Sequence, residues 1–225
     1  GKTTLAKLLC RLADPDAGEI RVGGVDLREV AESARATAIR LVPQDGFLFD
    51  VSVADNVRLG RADATDADVR AAFDALDLGW WVDRLPDGLA TRVGERGEHL
   101  SVGERQLVSL ARAQLSDAGL LLLDEATSAL DAETEAKIKR ALDVVRRGRT
   151  TFIIAHRLST VADADEILVL EQGRIIERGT FNGLVDRQGL FAKLVKEGGF
   201  TVPVREGEAP PATGATTAPS PPLAS

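Results

Sequence analysis

The first four residues, GKTT, have the types and the order that a phosphate-binding loop needs at its end. Such a loop reads G-x-x-x-x-G-K-[ST], and residues 1–3 supply its last three positions. In a complete loop, backbone N–H groups and the positive end of the following helix hold the phosphate oxygens. Lys2 would reach the β and γ phosphates, and the Thr3 hydroxyl would bind Mg²⁺. Alone, this stretch is equally consistent with an ordinary turn, so the interpretation depends on the rest of the chain.

A second chemical feature is an acidic pair directly after an apolar run, in LLLLDEA. The run is too short for a typical helix and suits a buried parallel strand, which places Asp124 and Glu125 at its carboxyl end. Open α/β sheets bind their ligands at that edge. The first carboxylate can hold Mg²⁺, and the second can orient and deprotonate a water for attack on a γ-phosphate. Two solvated acids at a strand end are the alternative, which the four preceding leucines make the weaker interpretation.

Further motifs follow in a fixed order and together resemble the ATP-binding cassette (ABC) transporter family. LSVGERQ, residues 100–106, is similar to the signature motif, LVPQD to the Q-loop, SALD to the D-loop and IIAHRLS to the switch segment. The resemblance covers roughly residues 1–197. It implies catalytic roles for Glu125, His156 and Gln44, nucleotide contacts by Gly1, Lys2, Thr3, Thr4, Ser101, Val102, Gly103, Glu104 and Asp131, and Mg²⁺ contacts by Thr3, Gln44 and Asp124.

The signature-like segment also starts a predicted helix, because Ser101 and Glu104 have the spacing of a capping box. By resemblance, the positive end of this helix closes over ATP held by a partner domain, so that two domains pair head-to-tail around two nucleotides. Asp131 would cross that interface, and the partner is either an identical or a homologous chain. Val102 and Glu104 replace a glycine and the glutamine of the commoner LSGGQ form, and we expect the signature to work with both.

Two stretches resemble the exporter branch of the family. They are LPDGLATRVGERGEHL, which carries Glu95 in a TxVGExG loop, and FLFDVSVADNVRLG. In exporters that loop touches the cytoplasmic ends of the transmembrane helices, and Gln44 would report the nucleotide state to them. The resemblance therefore implies ATP and Mg²⁺ as ligands, ATP-driven transport, a transmembrane domain fused upstream and a position at the cytoplasmic face of the cell membrane.

The elements that must position these residues predict an α/β fold. The expected P-loop NTPase core has a mostly parallel sheet, an inserted α-helical ABC subdomain at about 47–118 and a small β-rich part. Apolar periodicity predicts a helix over residues 2–12, and short apolar runs predict strands at 39–44 and 150–156. ILVLEQGRIIERG is expected to form a hairpin that turns at Gln172 and Gly173.

Composition narrows the possible partners. The chain is 44% hydrophobic and 28% charged, and its net charge of −7 argues against nucleic acid as a partner. Arg146, Arg147 and Arg149 form the densest basic cluster, which we interpret as a solvated helix end. The single cysteine, Cys10, has no partner for a disulfide, and we expect it to serve packing.

The chain is expected to be a piece of a longer polypeptide, because five positions of the phosphate loop are missing before Gly1 and no methionine occurs. Residues 1–201 would form a truncated ATPase domain, and residues 202–225 a disordered Pro/Ala/Thr-rich tail. Two alternatives to an active transporter domain remain. One is an inactive fragment, and the other is a soluble ABC ATPase that acts on DNA or ribosomes, although the long insertions and basic surfaces of that class are absent from the sequence.

Overall fold

The computed structural model describes residues 2–43, 46–124, 132–155 and 160–197, which form helices, strands and the turns between them. The strands are β1 (Arg21–Val22), β2 (Val25–Asp26), β3 (Ile39–Val42), β4 (Leu120–Asp124), β5 (Thr150–Ile154), β6 (Ile167–Glu171) and β7 (Arg174–Gly179). The helices are α1 (Lys2–Leu9), α2 (Glu32–Ala38), α3 (Val53–Arg58), α4 (Asp66–Ala75), α5 (Gly79–Val82), α6 (Val102–Leu115), α7 (Ala132–Arg146), α8 (Phe181–Asp186) and α9 (Leu190–Glu197). The predicted tail, 202–225, lies outside the described residues.

β3, β4 and β5 form a parallel sheet with β4 in the middle. The register pairs Leu122 of β4 with Leu41 on one side and with Phe152 on the other. The four leucines of β4 are buried, as expected for a strand that is covered on both faces. The predicted α/β fold with a parallel core is therefore confirmed, and its three strands end at one edge of the sheet.

Helix α1 is shorter than the predicted helix over residues 2–12, because the chain leaves the helix at Arg11. Arg11 adopts a left-handed conformation with φ 52°, and the N–H groups of Arg11 and Leu12 donate to the carbonyls of Leu8 and Lys7. This pair of bonds is a Schellman motif, which satisfies the last carbonyls of a helix. The Arg11 side chain holds the turn in place by donating to the Arg28 carbonyl at 3.1 Å.

Helices α3, α4, α5 and α6 follow β3; α3 and α4 pack against α6, and α5 packs against α4. Side-chain caps start three of them, since Ser52, Thr65 and Ser101 each accept from a backbone N–H of the following turn. The buried side chains of these helices form one cluster with residues of β4 and α7, so the helical part and the sheet share a core. None of the described helices has the length and apolar character needed to cross a bilayer.

The end of α6 corrects the interpretation of one basic residue. Arg149 was expected to be solvated, yet its guanidinium donates to the Ala113 carbonyl at 2.8 Å and to the Ser116 carbonyl at 3.0 Å. Burial lowers the pKa of Arg149. The expectation was wrong for Arg149 because a cation at a helix C-terminus can bond the last carbonyls of that helix.

β6 and β7 form the predicted hairpin, which turns at Gln172 and Gly173 with φ angles of 48° and 80°. The two left-handed residues give the tight turn that matches the twist of paired strands. Within the described residues, β6 pairs only with β7 and β5 pairs only with β4. A cavity of about 960 Å³ separates these strands and is lined by side chains of α1, β5 and β6.

Candidate nucleotide site

Lys2 lies at the edge where the parallel strands end. Its Nζ donates to the carbonyl of Ala155, the residue directly after β5, at 3.2 Å. This contact holds the first turn of α1 against the carboxyl end of the sheet, where the positive end of the helix dipole can face an anion. Thr3 and Thr4 are exposed in the same turn. Lys2, Thr3 and Thr4 thus lie in the first turn of a helix at the edge where open α/β sheets bind their ligands.

Asp124 ends β4 at the same edge, because the register pairs it with Ile154 in β5. Ile154 immediately precedes the residue whose carbonyl binds Lys2. The sheet therefore brings the N-terminus of α1 and the first predicted acid to one place. A threonine hydroxyl and a carboxylate are oxygen ligands of the kind that Mg²⁺ prefers, so Thr3 and Asp124 fit the predicted metal site in chemistry.

The signature-like segment begins α6 with the predicted capping box. Ser101 Oγ accepts from the Glu104 N–H at 3.3 Å, and Glu104 Oε2 accepts from the Ser101 N–H at 2.8 Å. Val102 is 42% exposed and Gly103 is buried. Ser101 and Val102 therefore face outward at a helix N-terminus, where an anion is electrostatically favoured.

Five of the predicted site residues lie outside the described residues, namely Gly1, Gln44, Glu125, Asp131 and His156. The described segments that lead to three of them follow one plan. β3 precedes Gln44, β4 precedes Glu125 and β5 precedes His156, and all three strands end at the edge that Lys2 contacts. That edge is the ligand-binding edge of open α/β sheets.

The comparisons with known proteins agree with this arrangement. Residues 1–128, more than half of the chain, match the sequence profile of a family described as ABC transporter. This chain belongs to the ABC transporter family. Nucleotide binding follows from that membership. Along the chain, Lys2 comes first, the capped helix α6 second and Asp124 third, which is the order that the resemblance implies.

The relatives of this ABC domain include exporters. The β-(1→2)glucan export ATP-binding/permease protein NdvA of Agrobacterium fabrum is 52% identical over 200 residues, which cover 89% of this chain and 34% of that protein. NdvA of Brucella suis is 48% identical over 221 residues, with coverages of 98% and 37%. A solved bacterial Atm1-family ABC exporter with ATP bound has a TM-score of 0.82 and 43% identity, and covers 89% of this chain and 35% of that one. The chain thus spans about a third of these relatives and matches the ATP-binding domain of exporter-type ABC proteins.

Two contacts next to the signature were missed by sequence reasoning. The Trp81 indole Nε1 donates to Glu104 Oε1 at 3.0 Å. The Arg105 guanidinium donates to the Leu100 carbonyl at 2.9 Å and to the Gly97 carbonyl at 3.4 Å, which ties the TxVGExG loop of this ABC domain to α6. Trp81 lies 23 positions before Glu104, and the carbonyls that Arg105 binds belong to the irregular segment before α6. No periodic sequence pattern therefore indicates either contact.

An exposed aromatic pair lies just after the Q-loop position of the ABC domain. Phe47 and Phe49 are 46% and 52% exposed, and their rings meet edge-to-face with centroids 5.1 Å apart. Buried Asn56 fixes the segment, because its side chain accepts from the Phe49 N–H and donates to the Phe49 carbonyl, both at 2.9 Å. Arg112 of α6 donates to the Phe47 carbonyl at 3.3 Å. Burial is the main cause that lowers the pKa of Arg112, to about 10.

Proposed function

We propose that this chain is the ATP-hydrolysing domain of an ABC exporter and that ATP binding and hydrolysis drive transport across a membrane. The observation that carries the proposal is the Lys2–Ala155 contact, which holds the start of α1 at the edge where Asp124 ends β4. The likeness to export ATP-binding/permease proteins supports the exporter assignment. The proposal concerns the ATP-driven step, because the permease part of such proteins handles the cargo.

Lys2 is proposed to contact the β and γ phosphates of ATP. Gly1 and Thr4 flank Lys2 and Thr3 in the sequence, and their backbone N–H groups would hold phosphate oxygens. Thr3 and Asp124 would hold Mg²⁺, which supplies charge neutralisation at the phosphates when it is bound. Lys2 and the backbone N–H groups would thus hold the β and γ phosphates where their positive charge and N–H dipoles stabilise the negative charge of the transferring phosphoryl group.

Hydrolysis is proposed to depend on residues that follow the three parallel strands. Glu125 would orient the attacking water and accept its proton, which leaves inorganic phosphate and ADP as products. His156 would contact the γ-phosphate and keep Glu125 and the water aligned. Gln44 would touch the metal or the water and report the nucleotide state to the permease part.

The second half of each site is proposed to come from a partner ABC domain. Ser101, Val102, Gly103 and Glu104 would close over the ATP that the partner holds, in a head-to-tail dimer of identical or homologous domains. Asp131 would cross that interface. Ser101 and Val102 suit such a contact because they are exposed at the N-terminus of α6, where the helix dipole favours a negatively charged phosphate.

A transmembrane domain is the proposed partner of the exposed aromatic pair. Two phenylalanines that are about half exposed mark an interaction surface more often than a solvent-facing loop. Arg112 and Asn56 fix the backbone of this segment, so the rings are held ready for a partner. The exposed Glu95 lies on the TxVGExG loop that Arg105 connects to α6. This arrangement would place the chain at the cytoplasmic face of the membrane.

The test is the substitution Glu125→Gln in the full-length protein. We expect ATP turnover to fall by about 100-fold or more, the usual contribution of a general base, while MgATP still binds and traps a closed dimer. Glu29→Gln, which changes an exposed glutamate in the turn after β2, serves as the control and should keep full turnover. An unchanged turnover rate in Glu125→Gln, or a protein that stays open at saturating ATP, would contradict the proposal.

A further inference from the structure

Trp81 of the short helix α5 reaches the signature helix through one hydrogen bond. Its indole Nε1 donates to Glu104 Oε1 at 3.0 Å, while the other oxygen of the same carboxylate, Oε2, accepts from the Ser101 N–H at 2.8 Å. We propose that Trp81 is a positioning residue for nucleotide closure: its indole N–H fixes the Glu104 carboxylate, which in turn fixes the Ser101 end of α6. This inference rests on the proposed function, because the signature is the surface that closes over ATP.

The geometry explains why a glutamate occupies this position. Two donors, the Trp81 indole and the Ser101 amide, approach two different oxygens of one side chain. A carboxylate offers an acceptor to both donors, whereas the glutamine of the commoner LSGGQ form would turn its NH₂ group toward one of them. Trp81 and Glu104 therefore match each other, and the departure from the commoner signature is compensated by a residue 23 positions upstream.

Trp81 is itself held firmly, which is needed if it is to position another group. Its side chain is only 4% exposed, and its ring lies 5.6 Å from the ring of Phe73 in α4, centroid to centroid. Partial burial raises the pKa of Glu104, but the hydrogen bonds from Trp81 and Ser101 outweigh it, and the pKa is lowered overall. Glu104 is therefore ionised at neutral pH, and bonds to an ionised acceptor are stronger than neutral ones.

Trp80 provides a matched control on the neighbouring position. Its indole Nε1 donates to the Asp77 carbonyl at 3.1 Å within the same segment, and its ring lies under the cationic groups of Arg84 and Lys137 at 4.9 and 4.3 Å. Trp80→Phe and Trp81→Phe both remove an indole hydrogen bond and keep an aromatic ring. Only the second change removes a contact to the signature.

The experiment compares Trp81→Phe, Glu104→Ala, their combination and Trp80→Phe in the full-length protein that also carries Glu125→Gln. Three quantities are measured: the ATP concentration that gives half-maximal dimer closure, the affinity for MgADP, and the melting temperature. MgADP lacks the γ-phosphate, so its affinity measures nucleotide binding by the phosphate loop of one chain without closure of the partner's signature over it. Loss of a hydrogen bond to a charged group should raise the half-maximal ATP concentration about tenfold in Trp81→Phe, with MgADP affinity unchanged.

The combined variant separates a shared role from two independent ones. Because Trp81→Phe removes the donor and Glu104→Ala removes the acceptor of the same bond, we expect the combined variant to close at about the same ATP concentration as Glu104→Ala alone. Trp80→Phe should close like the parent protein. The inference is overturned if Trp81→Phe closes like the parent, if the effects of the two changes multiply, or if MgADP affinity falls in step with closure. Failure of the parent protein itself to close with ATP would instead overturn the proposed function.

Discussion

Asp26 receives three donor groups from one neighbour. Its carboxylate accepts from the Arg28 backbone N–H at 2.9 Å, and from Nε and Nη2 of the Arg28 side chain at 3.1 and 2.7 Å. The side-chain bonds of Arg28 and then its backbone bond lower the pKa of Asp26 to about 2. A lowered folded-state pKa stabilises the fold above the ordinary pKa of the carboxyl, and that contribution is lost as the pH falls toward 2.

Arg28→Ala should therefore return the pKa of Asp26 toward its ordinary value near 4 and remove this part of the acid dependence of unfolding. The measurement is an NMR titration of the Asp26 carboxyl carbon between pH 1.5 and about 6, the range that spans both states. Arg21→Ala is the control, because Arg21 pairs with Glu19 and acts on Asp26 only as a more distant charge. A carboxyl that still titrates near 2 in Arg28→Ala would contradict the assignment of the cause.

The positions and contacts of individual residues differ in how well the sequence predicts them. Lys2 and Asp124 were predictable, because Lys2 is the first residue of helix α1 and Asp124 is the last residue of strand β4. Arg149 was not, since the carbonyls that it binds belong to a helix more than 30 residues upstream. The hydrogen bond of the Trp81 N–H was not predictable either, because it depends on where α5 lies relative to α6. Long-range polar contacts follow from tertiary packing, which no local pattern encodes.

Helices α3 and α6 approach closely at Gly60, and this contact depends on the missing side chain. A Cβ at this position would lie 2.3 Å from the Arg112 carbonyl oxygen and 3.1 Å from the Val57 carbonyl oxygen. Both atoms belong to the backbone, so they can yield only if a helix shifts. The contact matters for the site because Arg112 also binds the Phe47 segment.

Gly60→Ala should lower the free energy of unfolding by about 1–3 kcal/mol, the usual cost of overpacking a well-packed position. Gly119→Ala is the matched control, since a Cβ there would meet nothing within 4 Å, and a change of no more than about 0.5 kcal/mol is expected. Urea denaturation followed by circular dichroism measures both variants. Equal stabilities of the two variants would show that α3 is free to move away from α6.

Elements with a chemical signal at their ends were predictable in position. The Ser101–Glu104 capping box correctly marks the start of α6, and the Gln172–Gly173 turn correctly marks the hairpin. The end of α1 was wrong, because the Schellman turn uses Arg11 where glycine is the usual signal. A non-glycine residue with positive φ is held there by its side-chain bonds to the 27–28 segment, which are tertiary contacts.

On the scale of the whole molecule, helix α6 lies between the signature-like segment and the exposed aromatic pair. The N-terminus of α6 carries the signature, and Arg112 near its other end holds the segment with the exposed phenylalanines. Arg105, between them, binds the Gly97 carbonyl of the TxVGExG loop. In the proposed exporter, α6 would thus connect nucleotide closure with the permease surface as one rigid element.

The cavity between β5 and β6 lies where one more strand could pair with both of them. Neither strand pairs with another on that side within the described residues, and unpaired strand edges accept further strands. Apolar side chains line it, including Leu5, Leu9 and Ile154, and the buried Thr151 hydroxyl beside it has no hydrogen-bond partner among the described residues. A phosphate loop also follows a strand and precedes a helix, and α1 starts at one end of this cavity.

In a protein that also carries residues before Gly1, we therefore expect an extended segment to pair with β5 and β6. Amide hydrogen exchange should slow about fivefold or more at each newly paired N–H of these strands, as expected for a net gain of about 1 kcal/mol per hydrogen bond. Amides of β4, which already has a partner on both sides, serve as the internal control and should exchange at unchanged rates relative to global unfolding. If β5 and β6 exchange equally fast in the shorter and the longer protein, the cavity does not receive a strand, and Lys2 would be held at the ligand edge by its bond to Ala155 and by the packing of α1.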